Sequence, residues 1–171
     1  MIKKTTHPYL IWITGLPGAG KTTLAKEVYR LLKGKRPTVL MDGDVFREIM
    51  GNDLGYSSTD RLKNAQRLAR MNHYLIQHGI TVVCSTVSLF KEIHAWNKKK
   101  FPHFLEVYIE VSAETLHERD QKKLYSQKNL RNDVVGIHQI FDKPQNPDII
   151  IENAKGLRSF LSNAERIIKA L

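Results

Sequence analysis

The residues of this chain best suited to do chemistry form one glycine-rich segment, Gly15-Leu16-Pro17-Gly18-Ala19-Gly20-Lys21-Thr22. It fits the pattern G-x-x-x-x-G-K-[ST], in which glycines let backbone N–H groups curl around an anion. In such a loop, called the P-loop below, the lysine amine reaches the terminal phosphates of a nucleotide and the threonine hydroxyl can hold Mg²⁺. The segment therefore predicts a nucleoside triphosphate site. The residues assigned to it are Gly15, Gly18, Ala19, Gly20, Lys21, Thr22 and Thr23.

Two acids in the run Asp42-Gly43-Asp44 form the second candidate group, because they follow an apolar stretch that reads as a strand. One carboxylate could orient Mg²⁺ through water, and the other could accept the proton of a hydroxyl nucleophile. Asp-Gly-Asp is also good turn chemistry, and the nearby P-loop is what favours the functional interpretation. We assign Asp44 to catalysis and Asp42 to the metal and substrate, although residue types alone leave open which acid does which.

A third group opens a long amphipathic pattern. Arg61 and Asn64 share one helical face with the apolar Leu68, and Ser58 or Thr59 is placed to cap the helix. An arginine and an asparagine are unusual in such a stripe, so we expect their head groups to reach past the core to an anion. A surface helix with solvated charges is the alternative, and it fits the neighbouring lysine and arginines better.

The elements that must position these residues alternate between apolar strands and helical patterns. The predicted strands cover residues 10–14, 38–41, 81–85, 104–110 and 149–152. The predicted helices cover residues 22–32, 45–50, 59–78, 90–99, 113–121 and 156–170. This alternation predicts an α/β fold of the P-loop NTPase type, with a parallel sheet flanked by helices on both faces. Ligands of such sheets bind beyond the carboxyl ends of the strands.

Length and the polar stretch near residue 130 set the domain organisation. A chain of 171 residues is enough for one domain with a good core, so residues 1–171 are expected to form a single P-loop domain. The segment at residues 122–147 is polar, contains glycine and prolines, and lacks a long apolar period. We interpret it as a lid over the site.

Composition limits the other classes of function. The net charge of +10 suits polyanionic small molecules, and it also suits nucleic acid. The basic residues are spread along the chain and no nucleic-acid motif occurs, so an ATP-regulated nucleic-acid-binding protein is a distant alternative. A GTPase-like switch would need a guanine-reading N-K-x-D, which is absent. No apolar run approaches a membrane span, and a single cysteine, Cys84, fits a reducing cytoplasm.

Together these motifs resemble the adenylylsulfate kinase family. That family pairs a P-loop of the type G-L-S/P-G-A-G-K-T with D-G-D-x-x-R and L-G-F-S-x-x-D-R-x-x-N-x-x-R. The corresponding segments here are residues 15–22, 42–47 and 54–67, and residues 119–125, 136–137 and 144–147 resemble its later R-D-x-K-x-L-Y, G-I and P-x-x-P. The resemblance covers nearly the whole chain.

The resemblance implies phosphoryl transfer from ATP, with Mg²⁺, to the ribose 3′-hydroxyl of adenylylsulfate. It implies that Lys21 and Thr22 hold phosphate and Mg²⁺, that Asp44 faces the acceptor hydroxyl, and that Arg119 lies against the donor adenine. The residues that it implies for the acceptor are Asp42, Arg47, Tyr56, Arg61, Asn64, Ser88, Leu89, Lys123 and Val135. The resemblance leaves a homodimer possible, although no apolar patch in the sequence points to an interface.

The departures from the family pattern all concern the acceptor. The family's I-S-P-Y-R is Val87-Ser88-Leu89-Phe90-Lys91 here, and its lid motif F-T-G, whose phenylalanine stacks on adenine, is Val134-Val135-Gly136. Of the two aromatic side chains expected to enclose the acceptor base, Tyr56 is therefore the one that remains. Stacking of a base on an aromatic side chain contributes roughly 1–3 kcal/mol. An offshoot of the family phosphorylates cytidine diphosphoramidate in a capsule pathway. Since a pyrimidine needs less stacking surface, that compound is the alternative acceptor.

Overall fold

Five parallel strands form one sheet in the described part of the chain. The computed structural model describes residues 7–119, 141–153 and 156–171, with Arg119 described by its backbone only. The strands are β1 (Leu10–Gly15), β2 (Thr38–Asp42), β3 (Thr81–Thr86), β4 (Phe104–Glu110) and β5 (Ile149–Glu152). They are arranged in the order β2-β3-β1-β4-β5, and every neighbouring pair is parallel.

Helices connect the strands and cover the sheet. They are α1 (Lys21–Leu32), α2 (Gly43–Ile49), α3 (Ser58–Gln77), α4 (Lys91–Lys100), α5 (Ala113–Arg119), α6 (Leu157–Leu161) and α7 (Asn163–Lys169). The predicted α/β fold, with a parallel sheet between two layers of helices, is confirmed. None of the helices in the described ranges combines the length and hydrophobicity that crossing a membrane requires.

Several helix bounds differ from the sequence prediction; α2, for example, begins at Gly43 rather than at residue 45. Two of the differences involve side-chain hydrogen bonds. The predicted helix at residues 156–170 is two helices, because the Ser162 hydroxyl donates to the Ser159 carbonyl at 2.7 Å and the Asn163 amide donates to the Phe160 carbonyl at 3.0 Å. Side chains that bond nearby carbonyls in this way compete with the helical backbone ladder. Helix α3 is capped by Ser57, one residue before the expected caps, and its hydroxyl accepts from the Asp60 N–H.

Side chains alternate between the two faces of the sheet, as parallel strands buried on both sides require. On β1, Ile11 and Ile13 pack under α1, α6 and α7, whereas Leu10 and Trp12 pack under α2, α3 and α4. Cys84 lies in the second of these cores, where burial raises the pKa of its thiol to about 12. It is therefore an unreactive core residue.

This layering leaves the carboxyl edge of the sheet to carry polar groups. The P-loop follows β1, Asp42 ends β2, and Ser85 on β3 is the register partner of Asp42. The candidate residues from distant parts of the sequence therefore meet at one edge, where ligands of such sheets bind. Of the predicted lid, residues 122–140 lie outside the described residues, and residues 141–147 are described.

Candidate active site

The P-loop takes a shape that its glycines make possible. Gly20 has a φ of +95°, and a Cβ there would lie 2.9 Å from the Asn153 amide nitrogen. A Cβ at Gly15 would lie 2.6 Å from the Ile109 carbonyl oxygen, which is backbone and cannot turn away. Gly15 therefore excludes a side chain by space, whereas at Gly20 a side chain would be strained by the backbone conformation and would have to displace Asn153 or Phe160. The loop is held close to β4 and to the end of β5.

The first turn of α1 is suited to bind an anion. Its N-cap residue, Gly20, makes no side-chain capping bond, and the turn holds no acid. Free N–H groups and the helix dipole both favour negative charge at such an end. Lys21 is only 8% exposed, and its amine donates to the Leu16 carbonyl across the loop at 2.7 Å. The cation is thus kept inside the curve of the P-loop.

Asn153, which follows β5, is hydrogen-bonded to the P-loop, and sequence reasoning did not identify it. Its side-chain amide donates to the Ala19 carbonyl at 2.9 Å, and its own N–H donates to the Glu110 carbonyl at 3.0 Å. Because the Ala19 carbonyl is turned toward this buried amide, the peptide between Ala19 and Gly20 has a fixed direction. The signal available in the sequence was a polar residue directly after the last predicted strand.

Thr22 and Asp42, the two residues assigned to the metal, are in direct contact. The Thr22 hydroxyl donates to Asp42 Oδ2 at 2.7 Å, and the Ser85 hydroxyl donates to the same oxygen at 2.7 Å. Asp42 Oδ1 accepts from the Asp44 N–H at 3.0 Å. Ser85 was not among the predicted residues, although its place at the end of a neighbouring strand was a signal.

The protonation of Asp42 follows from these bonds. Burial acts to raise the pKa of its carboxyl, but hydrogen bonds from Ser85, Thr22 and two backbone N–H groups outweigh burial and hold that pKa below its ordinary value. Asp42 is therefore a carboxylate at neutral pH. A carboxylate and a hydroxyl are hard oxygen donors of the kind that Mg²⁺ prefers. Among the described residues, no group of three or more His, Cys, Asp or Glu is placed to hold a metal alone.

Asp44 differs from Asp42 in its surroundings. Asp42 is the N-cap of α2, whereas Asp44 lies in the first turn of that helix and is exposed. The two acids that looked equivalent in the sequence therefore have different positions. Asp42 points back to the P-loop threonine, and Asp44 lies on the open side of the carboxyl edge.

Two arginines and a tyrosine from different elements meet beside these acids. The Tyr56 ring centroid lies 4.8 Å from the Arg47 guanidinium and 5.2 Å from that of Arg61. Arg47 is fixed by bonds to the carbonyls of Leu54 and Gly55 at 3.3 and 3.0 Å, and Arg61 donates to the Tyr56 carbonyl at 2.9 Å. Tyr56 itself is 45% exposed. Arg47 is 8% exposed and Arg61 is partly exposed, so the group presents one aromatic surface with two cations beside it.

The remaining acceptor residues fall into two groups. Asn64 on α3 is 7% exposed, and Ser88 and Leu89 in the loop after β3 are 7% and 3% exposed. The Ser88 hydroxyl is bonded to that of Thr86 at 2.9 Å. The side chains of these three residues are therefore largely covered by the protein. Lys123 and Val135 lie outside the described residues, as does the side chain of Arg119.

Comparison with known proteins places this geometry in a family. The family model described as "Adenylylsulphate kinase" matches residues 7–152. The chain is 40% identical to the cytidine diphosphoramidate kinase of Campylobacter jejuni over 152 residues, which are 86% of this chain and 88% of that protein. It is 38% identical to the adenylyl-sulfate kinase of Chloroflexus aurantiacus over 152 residues, which are 86% and 81% of the two chains.

A solved structure gives the same answer for the fold. The APS kinase of Mycobacterium tuberculosis, in complex with AMPPNP and APS, superposes with a TM-score of 0.82 at 29% identity. The match covers 95% of this chain and 96% of that one. The sheet and helices that carry the P-loop thus have the fold of a known kinase. This chain belongs to the adenylylsulfate kinase family and is a kinase that transfers a phosphoryl group to an alcohol.

Proposed function

We propose that this chain transfers the γ-phosphoryl group of ATP to the ribose 3′-hydroxyl of an activated nucleotide, and that cytidine diphosphoramidate is the preferred acceptor. The observation that carries the reaction is the different placement of Asp42 and Asp44. Asp42 is a carboxylate bonded to the P-loop threonine, while Asp44 is exposed two residues further along. One acid therefore serves the donor and the other serves the acceptor.

On the donor side, the backbone of the P-loop and the first turn of α1 bind the phosphates, and the Lys21 amine donates a hydrogen bond to a phosphate oxygen. Thr22 and Asp42 would hold Mg²⁺, because they offer adjacent hard oxygens and the pKa of Asp42 is lowered. When bound, Mg²⁺ neutralises charge on the β- and γ-phosphate oxygens. Asn153 keeps the loop in the shape that this binding needs.

On the acceptor side, Asp44 orients the 3′-hydroxyl and takes its proton. The acceptor O–H bond breaks as the proton passes to the Asp44 carboxylate, and a bond forms between that oxygen and the γ-phosphorus of ATP. The bond from the γ-phosphorus to its bridging oxygen breaks, and ADP leaves with the electron pair. Positioning and charge stabilisation supply most of the rate in such transfers.

The cytidine compound is favoured by the acceptor side of the site. The chain is 40% identical to an enzyme named for that substrate. Val134 stands where the family's lid phenylalanine stacks on adenine, so Tyr56 is the aromatic surface left on this side. Arg47 and Arg61 lie within about 5 Å of the Tyr56 ring centre and can bind a charged diphosphate whichever base it carries.

Adenylylsulfate is the second candidate, and one observation favours it. Arg47, Arg61 and Asn64 match the family's positions for that acceptor in the sequence, and Arg47 and Arg61 both lie against the Tyr56 ring. Several adenylyl-sulfate kinases also match this chain at 34–38% identity. If adenylylsulfate is the acceptor, the enzyme binds adenine despite having Val134 in place of the family's lid phenylalanine.

The test is ADP release with Mg²⁺ and ATP, measured over a range of each acceptor's concentration. We expect kcat/KM to be at least about tenfold higher for cytidine diphosphoramidate, since losing one stacking wall costs adenine more than cytosine. A higher value for adenylylsulfate would select the second candidate. The 3′-deoxy analogue of the better acceptor is the control, and phosphoryl transfer to it would refute the assignment of the 3′-hydroxyl. Turnover of neither acceptor would overturn the proposed function.

A further inference from the structure

The loop at residues 87–90, called the acceptor loop here, is fastened by a segment from far along the chain. The Asp142 N–H donates to the Leu89 carbonyl at 3.0 Å, and Asp142 Oδ2 accepts from the Lys91 N–H at 3.1 Å. These two bonds lie on either side of Phe90. The backbone at the end of the acceptor loop is therefore held by both the main chain and the side chain of one residue.

The carboxylate also supplies a cap that α4 lacks in its own sequence. The N-cap residue of α4 is Phe90, which has no side-chain group to accept a hydrogen bond, and its first turn contains Glu92. Helix N-termini are stabilised by an acceptor for their first N–H groups and by a nearby negative charge. Asp142 provides both from 51 residues beyond Lys91.

The same contact reaches the donor side through apolar packing. Leu89 is 3% exposed and forms a cluster with Tyr108, against which Leu16 and Phe141 pack. The Leu16 carbonyl is the group that accepts the Lys21 amine. A short path of contacts thus leads from Asp142, through the acceptor loop, to the P-loop.

We propose that Asp142 is a positioning residue for acceptor binding: its two bonds fix the backbone of the acceptor loop, which follows β3 at the edge of the sheet where Ser85 bonds Asp42. This inference rests on the proposed function, and it takes the place of the loop beside the acceptor from the family resemblance, which assigns Ser88 and Leu89 to that substrate. Asp142 does not touch substrate. A role in folding alone is the competing explanation, and it predicts that both substrates and the overall stability are affected together.

The test compares Asp142→Ala, Asp142→Asn and Lys143→Ala. Asp142→Ala removes the side-chain cap and loosens the acceptor loop, so we expect the acceptor KM to rise roughly tenfold, equivalent to about 1.4 kcal/mol, while the KM for ATP stays within about twofold. Asn retains a side-chain oxygen that can accept from Lys91, so Asp142→Asn is expected to restore most of the acceptor affinity. Lys143 binds Glu110 rather than the acceptor loop, so Lys143→Ala should leave both KM values unchanged.

A second readout separates this inference from the proposed function. Hydrogen exchange of the Lys91 amide should become faster in Asp142→Ala and stay slow in Asp142→Asn and Lys143→Ala, with or without an acceptor. If the wild-type enzyme phosphorylates neither acceptor, the proposed function fails, and this exchange alone decides whether Asp142 holds the loop. An unchanged acceptor KM in Asp142→Ala, or equal rises in the KM of ATP and acceptor, would overturn the positioning role.

Discussion

The proposed donor and acceptor sides of this site differ in the chemical groups that form them. The donor side is mainly backbone: a glycine loop, the first turn of α1, and a lysine and an asparagine that are both buried. The acceptor side is mainly side chains from α2, α3 and the connection between them, with an exposed tyrosine among them. A triphosphate is the same in every ATP user, so a fixed backbone shape suffices for it. An acceptor differs between enzymes, and side chains can change without disturbing the fold.

The largest expected effect lies where the two sides meet. Asp44→Asn should reduce phosphoryl transfer by about 10²–10⁴-fold, since general-base catalysis contributes that much, while ATP binding stays within a few-fold. Single-turnover kinetics and nucleotide titration measure the two effects separately. Asp53→Asn, at an exposed acid paired with Arg67, is the control. Transfer near the wild-type rate would show that Asp44 does not serve the acceptor.

A change on the donor side should impair transfer from ATP without changing how tightly the acceptor binds. Lys21→Ala should lower kcat by at least about a hundredfold, comparable to the loss of one charge-stabilising group in other active sites. The acceptor's own affinity, measured without nucleotide, should hardly change. Lys26→Ala, at an exposed position on the same helix, provides the matched control. An intact kcat in the Lys21 variant would refute the assignment of the P-loop.

Alanine variants of two glycines can separate the effect of backbone strain on stability from the effect of a displaced side chain on ATP binding. Gly20 and Gly34 have similar φ values of +95° and +86°, but a Cβ at Gly34 would meet nothing within 4 Å. Gly34→Ala should therefore cost about 1–2 kcal/mol of unfolding free energy and leave ATP affinity alone. Gly20→Ala should cost stability and also weaken ATP binding, because the side chain displaces Asn153 or Phe160. Urea unfolding and nucleotide titration of both variants make the comparison.

The smallest effect is expected at the aromatic surface. Tyr56→Leu should raise the acceptor KM about tenfold, in line with the stacking energy of one base, and leave the KM for ATP unchanged. Tyr56→Phe keeps the ring and should behave like the wild type. A similar KM for the acceptor in all three proteins would show that the base does not stack on residue 56.

Much of the fold could be predicted because it depends on local signals. Apolar runs of strand length alternate with helical periods, and the glycine pattern of residues 15–22 defines the P-loop by itself. The meeting of Thr22 and Asp42 also follows from local signals, because the P-loop that leads to Thr22 follows one strand, Asp42 ends another, and the carboxyl ends of parallel strands lie at the same edge of a sheet. The break at Ser162 could not be read in this way, since it depends on competition between side-chain and backbone bonds.

The parts that sequence reasoning missed depend on contacts between distant residues. Asn153 bonds to Ala19, and Asp142 bonds to Leu89 and Lys91, but no spacing or periodicity connects these positions. The resemblance assigned Leu89 to the acceptor, whereas in the structure its side chain is buried and its carbonyl accepts from the Asp142 N–H. Family motifs thus identify which segments form the site, and packing decides which atoms of a segment face it.

The bond between the Lys21 amine and the Leu16 carbonyl has a consequence for nucleotide binding. A lysine amine carries three N–H donors, so a phosphate oxygen can accept from Lys21 while the Leu16 carbonyl still holds it. The long side chain therefore loses its rotational freedom when the protein folds, and that entropy is not lost again each time a nucleotide enters. Folding thus meets part of the entropic cost of every later binding event.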